Sequence, residues 1–108
     1  MIERARKPYV PWAWTPALVA AGMTPAQRSA VIYACSGAWW DRDAEAWLTL
    51  WCVQTIAERS GVDRQSVMAA KKKLIQAGLA TEFAPASRRN EKAATIDVTK
   101  LMEVSDGS

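Results

Sequence analysis

Asp41, Asp43 and Glu45 place three carboxylates on alternate positions of "DRDAE", so the first question is whether they hold a metal or move a proton. A hard divalent cation takes six or more oxygen ligands, and no second acidic motif completes such a shell. A solvated turn is therefore expected there. The chain contains no histidine, which excludes Ser-His-Asp and Cys-His nucleophilic sites and removes the commonest general base. Cys35 and Cys52 are the only cysteines, too few for a disulfide framework or a zinc cluster, and are expected as buried free thiols. No catalytic, metal-binding or cofactor-binding residue is assigned, and the chain is not expected to be an enzyme.

An enzyme using only carboxylates or lysine is the alternative, and the charge balance points instead to an acidic partner. The chain carries a net charge of +3 with a sequence pI near 9.1. Residues 54–92 hold Arg59, Arg64, Lys71, Lys72, Lys73, Arg88, Arg89 and Lys92 against Glu58, Asp63, Glu82 and Glu91, a net +4 that leaves −1 for the rest. The positive excess is thus concentrated around "IAERSGVDRQSVMAAKKKL", residues 56–74. Within it Ala57, Gly61, Val62 and Val67 stand at the offsets of a helix-turn-helix. Ala57 is small enough for the second helix to pass close by, Gly61 tolerates the positive φ of a sharp turn, and Val62 and Val67 fill the angle with Ile56 and Leu74.

At about 100° per residue, Gln65, Ala69, Lys72 and Gln76 face away from Val67 and Leu74, with Arg64, Ser66 and Met68 near the helix start. Such a helix enters the major groove by its N-terminal part, which makes Arg64, Gln65, Ser66, Met68 and Ala69 the candidates for base edges. Arg reads guanine and Gln reads adenine through paired hydrogen bonds, and Ala69 permits close approach. The three consecutive lysines fan out around the helix. Lys71 is expected to run its stem along the core edge, and Lys72 and Lys73 to meet phosphates. The plain alternative is a lysine-rich solvated helix.

The elements that position these residues follow from local punctuation. Residues 1–23 read as a basic, aromatic arm ending in a brief helix opened by Thr15 and Pro16 and closed by Gly22. Thr24 and Pro25 open a long helix with an apolar stripe of Ala30, Val31, Ala34, Cys35 and Ala38. "WLTLW" alternates as a short strand, with a continuous helix from Asp43 onward as the competing reading. A helix through "VQTIAERS" follows, then one capped by Asp63 and stopped by Gly78. Leu79, Thr81 and Phe83 share one face of a further strand, and Ala94, Ile96 and Val98 share one face of another, making a hairpin. Residues 99–108 read as a tail, with "SDGS" frayed.

The order of a long helix, a short strand, "TIAERSGVDRQSVMAAKKKLIQAGL" and a hairpin resembles the winged helix-turn-helix DNA-binding domains of small bacterial, phage and plasmid regulators and replication initiators. The resemblance covers residues 24–98 and implies a mainly α fold with a small β-hairpin: a three-helix core plus a wing over residues 79–98. It implies that Arg88, Arg89 and Lys92 at the wing tip meet phosphates or the minor groove. The chain departs from the family at residue 52, a cysteine where many members have serine or another good cap, and in its six tryptophans.

The expected function is sequence-specific binding of double-stranded DNA by a small transcriptional regulator, a repressor that occludes a promoter. Origin recognition by a plasmid or phage replication factor needs the same groove contacts. A protein-interaction module using the aromatic arm and Met68 is the third reading. Trp12 and Trp14 either pack back onto the domain or bury against a protein partner, and a homodimer would present two helices to a palindromic site. No apolar run reaches the roughly 18 residues of a membrane span and no secretory signal follows the start, so a cytoplasmic protein is expected.

Overall fold

The computed structural model describes residues 11–84 and 93–107, with side chains described for 13–84 and 94–104. Among these residues the chain forms an α+β fold of five helices and one four-stranded antiparallel sheet. In chain order they are α1 (Pro11–Ala20), α2 (Pro25–Cys35), β1 (Trp39–Asp41), β2 (Ala46–Cys52), α3 (Val53–Ser60), α4 (Arg64–Gln76), β3 (Thr81–Ala84), β4 (Ala93–Asp97) and α5 (Thr99–Gly107).

Helix α1 begins well before the expected start at Thr15 and Pro16, and Pro16 lies inside it. A proline there has no N–H for the carbonyl one turn back and costs about 3 kcal/mol. Trp14 and Leu18 are fully buried one turn apart on the same face. Leu18 alone returns about 2–3 kcal/mol and the larger indole more, so packing outweighs the break. Trp14 is therefore core, which realises the first of its two expected roles and removes it as a partner-binding residue. Gly22 ends the segment at φ 85°.

Helix α2 starts as its sequence requires. Thr24 Oγ1 accepts from the Gln27 N–H at 3.2 Å, and Gln27 Oε1 accepts from the Thr24 N–H at 3.0 Å, a reciprocal cap completed by Pro25 in the first turn. Its stripe of Ala30, Val31, Ala34 and Cys35 is buried, as is Ala38 just beyond its end. Cys35 is buried and Cys52 half-buried, and neither is in a disulfide.

The strand expected at "WLTLW" is present as β2, and a partner strand that was not expected precedes it. β1 pairs with β2 through Trp39↔Leu48, Trp40↔Trp47 and Asp41↔Ala46. Trp40 and Trp47 meet edge to face across this pair with ring centroids 5.7 Å apart. The acidic stretch between the strands is a turn: Asp41 Oδ1 accepts from the N–H groups of Asp43 and Ala44 at 2.9 and 3.0 Å, and Asp43 and Glu45 are exposed.

The sheet order is β1-β2-β4-β3, so β4 returns to lie between β2 and β3. Ala94 and Ile96 share the buried face of β4, and Val98, also buried, lies one residue beyond its end. β3 is an exposed edge strand whose pairing slips between Glu82 and Ala84, leaving Phe83 about half exposed. Leu79 precedes that strand, so of Leu79, Thr81 and Phe83 only Thr81 and Phe83 lie in it, and both are exposed.

The stretch read as a tail is α5. The Trp47 N–H donates to Thr99 Oγ1 at 2.9 Å, the Val98 N–H donates to the Trp47 carbonyl at 2.8 Å, and Leu101 and Met102 are buried. Helices α5 and α1 pack on each other, so the first and last of the described helices join one core.

Candidate nucleic-acid interface

The angle between α3 and α4 is set by the residues that the spacing singled out. Gly61 adopts φ 77°, and its N–H closes α3 on the Ala57 carbonyl at 3.0 Å. A side chain at Gly61 would meet nothing within 4 Å, so the constraint on this residue is the left-handed backbone alone. Ser60 turns its hydroxyl back to the Ile56 carbonyl. Val62, Val67, Ile56 and Leu74 are all buried, and Ala57 packs against them. At the other end of α3, Cys52 occupies the cap position with no side-chain cap bond.

Asp63 caps α4. Its carboxylate accepts from the Ser66 hydroxyl at 2.7 Å and the Ser66 N–H at 3.0 Å. The hydroxyl bond first, then the backbone bonds, hold the Asp63 carboxyl below its ordinary value of 3.8. Ser66 was expected at a base edge, but its hydroxyl is committed to this cap.

The outward face of α4 carries Arg64, Gln65, Met68, Lys72 and Gln76, all exposed, with Ala69 half-buried beside them. Met68 is 52% exposed, high for a large apolar side chain. Helix α4 contains four cations and no carboxylate. Two of those cations are turned inward. Lys71 Nζ reaches Glu82 Oε2 on β3 at 2.9 Å, the expected course along the core edge with a defined terminus. Lys73, expected beside Lys72 as a phosphate contact, is placed otherwise: its half-buried ammonium donates to the Gly22 carbonyl at 2.7 Å and to Gln27 Oε1 at 2.9 Å. The reason is helical rotation, since residues two apart project about 200° from each other. Lys71 and Lys73 leave from opposite flanks, and Lys72 faces outward between them.

Arg88, Arg89 and Lys92, expected at the wing tip, lie outside the described residues, and the side chain of Trp12 does too. Gln27 is not among the residues that the sequence pattern singles out. Its "TPAQ" cap motif was a local signal for its part in the cap, but its link to Lys73 spans 46 positions and leaves no local trace.

Comparison with family models, with curated proteins and with solved structures found no match. The chain's own geometry is thus what bears on function. Among the described residues no group of three His, Cys, Asp or Glu side chains could hold a metal, and no helix is long and apolar enough to cross a membrane. A shallow, mostly apolar cleft of about 290 Å³ is lined by Tyr33, Trp39, Leu50 and Thr55 among others, and by nothing from α4.

Proposed function

We propose that the protein is a winged helix-turn-helix that binds double-stranded DNA in a sequence-dependent way, with α2, α3 and α4 as the three-helix core and β3–β4 as the wing. The run α2, β2, α3, α4, β3, β4, with β4 between β2 and β3, supports this architecture, and β1 adds a further strand on the outer side of β2. The observation that carries the function is the outward face of α4. It is free of carboxylates and combines a cation and an amide at its N-terminal end with a phosphate-seeking lysine about two turns further on. Arg64 and Gln65 supply base-edge donors, Met68 and Ala69 the apolar contact suited to a thymine methyl, and Lys72 a backbone anchor.

In this reading the protein is a small transcriptional regulator that represses by occupying a promoter. Origin recognition would use the same face. The protein-interaction reading loses Trp14, which is buried.

Selection of bound sites from a random duplex library tests the proposal. The expected result is an enriched consensus whose binding weakens steeply with salt. A palindromic consensus would support a homodimer. No enrichment over unselected duplex, or affinity unchanged when Arg64 and Gln65 both become alanine, would remove the reading.

A further inference from the structure

Lys73 sits where a phosphate anchor would be expected, yet its ammonium is spent on two neutral oxygens of the protein itself. One is the Gly22 carbonyl in the turn between α1 and α2, and the other is Oε1 of Gln27, which is only 8% exposed. The same Gln27 oxygen accepts from the Thr24 N–H, so one side chain both starts α2 and receives Lys73. On the opposite flank of α4, Lys71 is tied to Glu82. The buried stripe of Val67, Ala70 and Leu74 holds α4 on the core through dispersion contacts that are individually non-directional. Two charge-assisted hydrogen-bonded ties, one on each flank, supply direction.

We propose that Lys73 is a positioning residue: acting through Gln27 and the Gly22 carbonyl, and opposed by the Lys71–Glu82 pair, it sets the rotation of α4 that aims Arg64, Gln65 and Met68. This rests on the DNA-reading role of α4 proposed above. A rotational slip of α4 displaces base contacts, which depend on paired hydrogen-bond geometry, more than it displaces a lysine meeting a phosphate as a point charge. Lys73 therefore governs sequence discrimination, and Lys72 governs sequence-independent affinity.

The test measures binding of the selected duplex and of a scrambled duplex over a range of salt concentrations, for the wild type and for Lys73→Met, Lys72→Met and Gln27→Glu. Lys73→Met is expected to reduce discrimination between the duplexes by about tenfold or more, the scale of one good base contact. It should leave the salt slope unchanged. Lys72→Met should weaken both duplexes alike and lower the slope by about 0.9, one phosphate's worth. Gln27→Glu keeps an acceptor for both Lys73 and the α2 cap, so discrimination and slope should both survive.

A contact that only adds stability would lower the melting temperature of Lys73→Met without changing discrimination, and that result overturns the proposal. So does a slope lowered by about 0.9 in Lys73→Met, which would make Lys73 a phosphate contact. Should Lys73→Met fail to fold, Gln27→Glu decides, because a phosphate-binding Lys73 would be neutralised by the new carboxylate and the slope would fall. Absence of any duplex binding by the wild type removes the DNA reading and this inference together, whereas the slope and discrimination results bear on the inference alone.

Discussion

Thr49 Oγ1 donates a 2.7 Å hydrogen bond to the Ala34 carbonyl, joining the middle of β2 to the last turn of α2. Helix ends leave carbonyls without an intrahelical partner, and this one is shared between Thr49 and the Gly37 N–H, 3.2 Å away. Thr49 is 1% exposed, so its hydroxyl has no access to water as an alternative. Thr49→Val keeps the shape and removes the donor, while Ala34 retains its second bond. A loss of about 1 kcal/mol is expected, within the range for a buried neutral hydrogen bond, read from the midpoint of urea unfolding at constant slope. No change would mean that the bond contributes nothing net to holding β2 on α2.

Trp14 offers a sharper test of where the domain begins. An arm resting loosely on the surface could lose this indole cheaply. A fully buried one leaves a cavity, and Trp14→Ala should cost about 3–5 kcal/mol. The check is the equilibrium stability of Trp14→Ala against that of Val19→Ala, whose side chain on the same helix is about half exposed. Similar small losses for both would make α1 an appendage.

These two tests fall on either side of what the sequence could show. The angle of the helix pair was legible because Ala57, Gly61, Val62 and Val67 are close in sequence and each meets a local steric demand. The caps at Thr24 and Asp63 were legible for the same reason. Helix α1 was misjudged because Pro16 looks like a helix start when only neighbours are considered, and the burial of Trp14 and Leu18 that keeps it interior is tertiary. Thr99, Leu101 and Met102 gave no strong periodic signal, and α5 exists because Trp47 and the core receive it. At the candidate site, the outward direction of Gln65 and Lys72 followed from 100° geometry alone. That Lys73 is tied down, and that Ser66 serves its own cap, depended on which acceptor lies within reach.

The Asp63 cap makes acid sensitivity local to α4. Its folded-state carboxyl titrates below 3.8 because the Ser66 hydroxyl and backbone N–H bind the ionised form. A depressed carboxylate contributes stability that is present above the unfolded value and lost as pH falls through the lower folded value. The melting temperature of the wild type should therefore fall as pH drops below 3.8, and part of that fall should disappear in Asp63→Asn. That variant keeps one acceptor oxygen for the Ser66 N–H and does not ionise. Equal acid sensitivity in the two proteins would show that Asp63 does not report on folding.

The division of labour on α4 leads to opposite signatures for two neighbouring exposed residues. Gln65 lies near the helix start, where a groove-bound helix comes closest to base edges, and an amide there discriminates by satisfying two hydrogen bonds at once. Gln65→Ala should cost about 1–3 kcal/mol on the selected duplex, far less on the others, and relax one position of the consensus. Lys72 projects from the same face later in the helix with nothing to read and a full charge to give. Lys72→Ala should weaken all duplexes by a similar factor and lower the salt slope by about 0.9. Anisotropy titrations at several salt concentrations separate the two. A Gln65→Ala loss shared by all duplexes would mean that α4 lies along the backbone rather than in the groove, since a sequence-independent penalty has no base edge as its source.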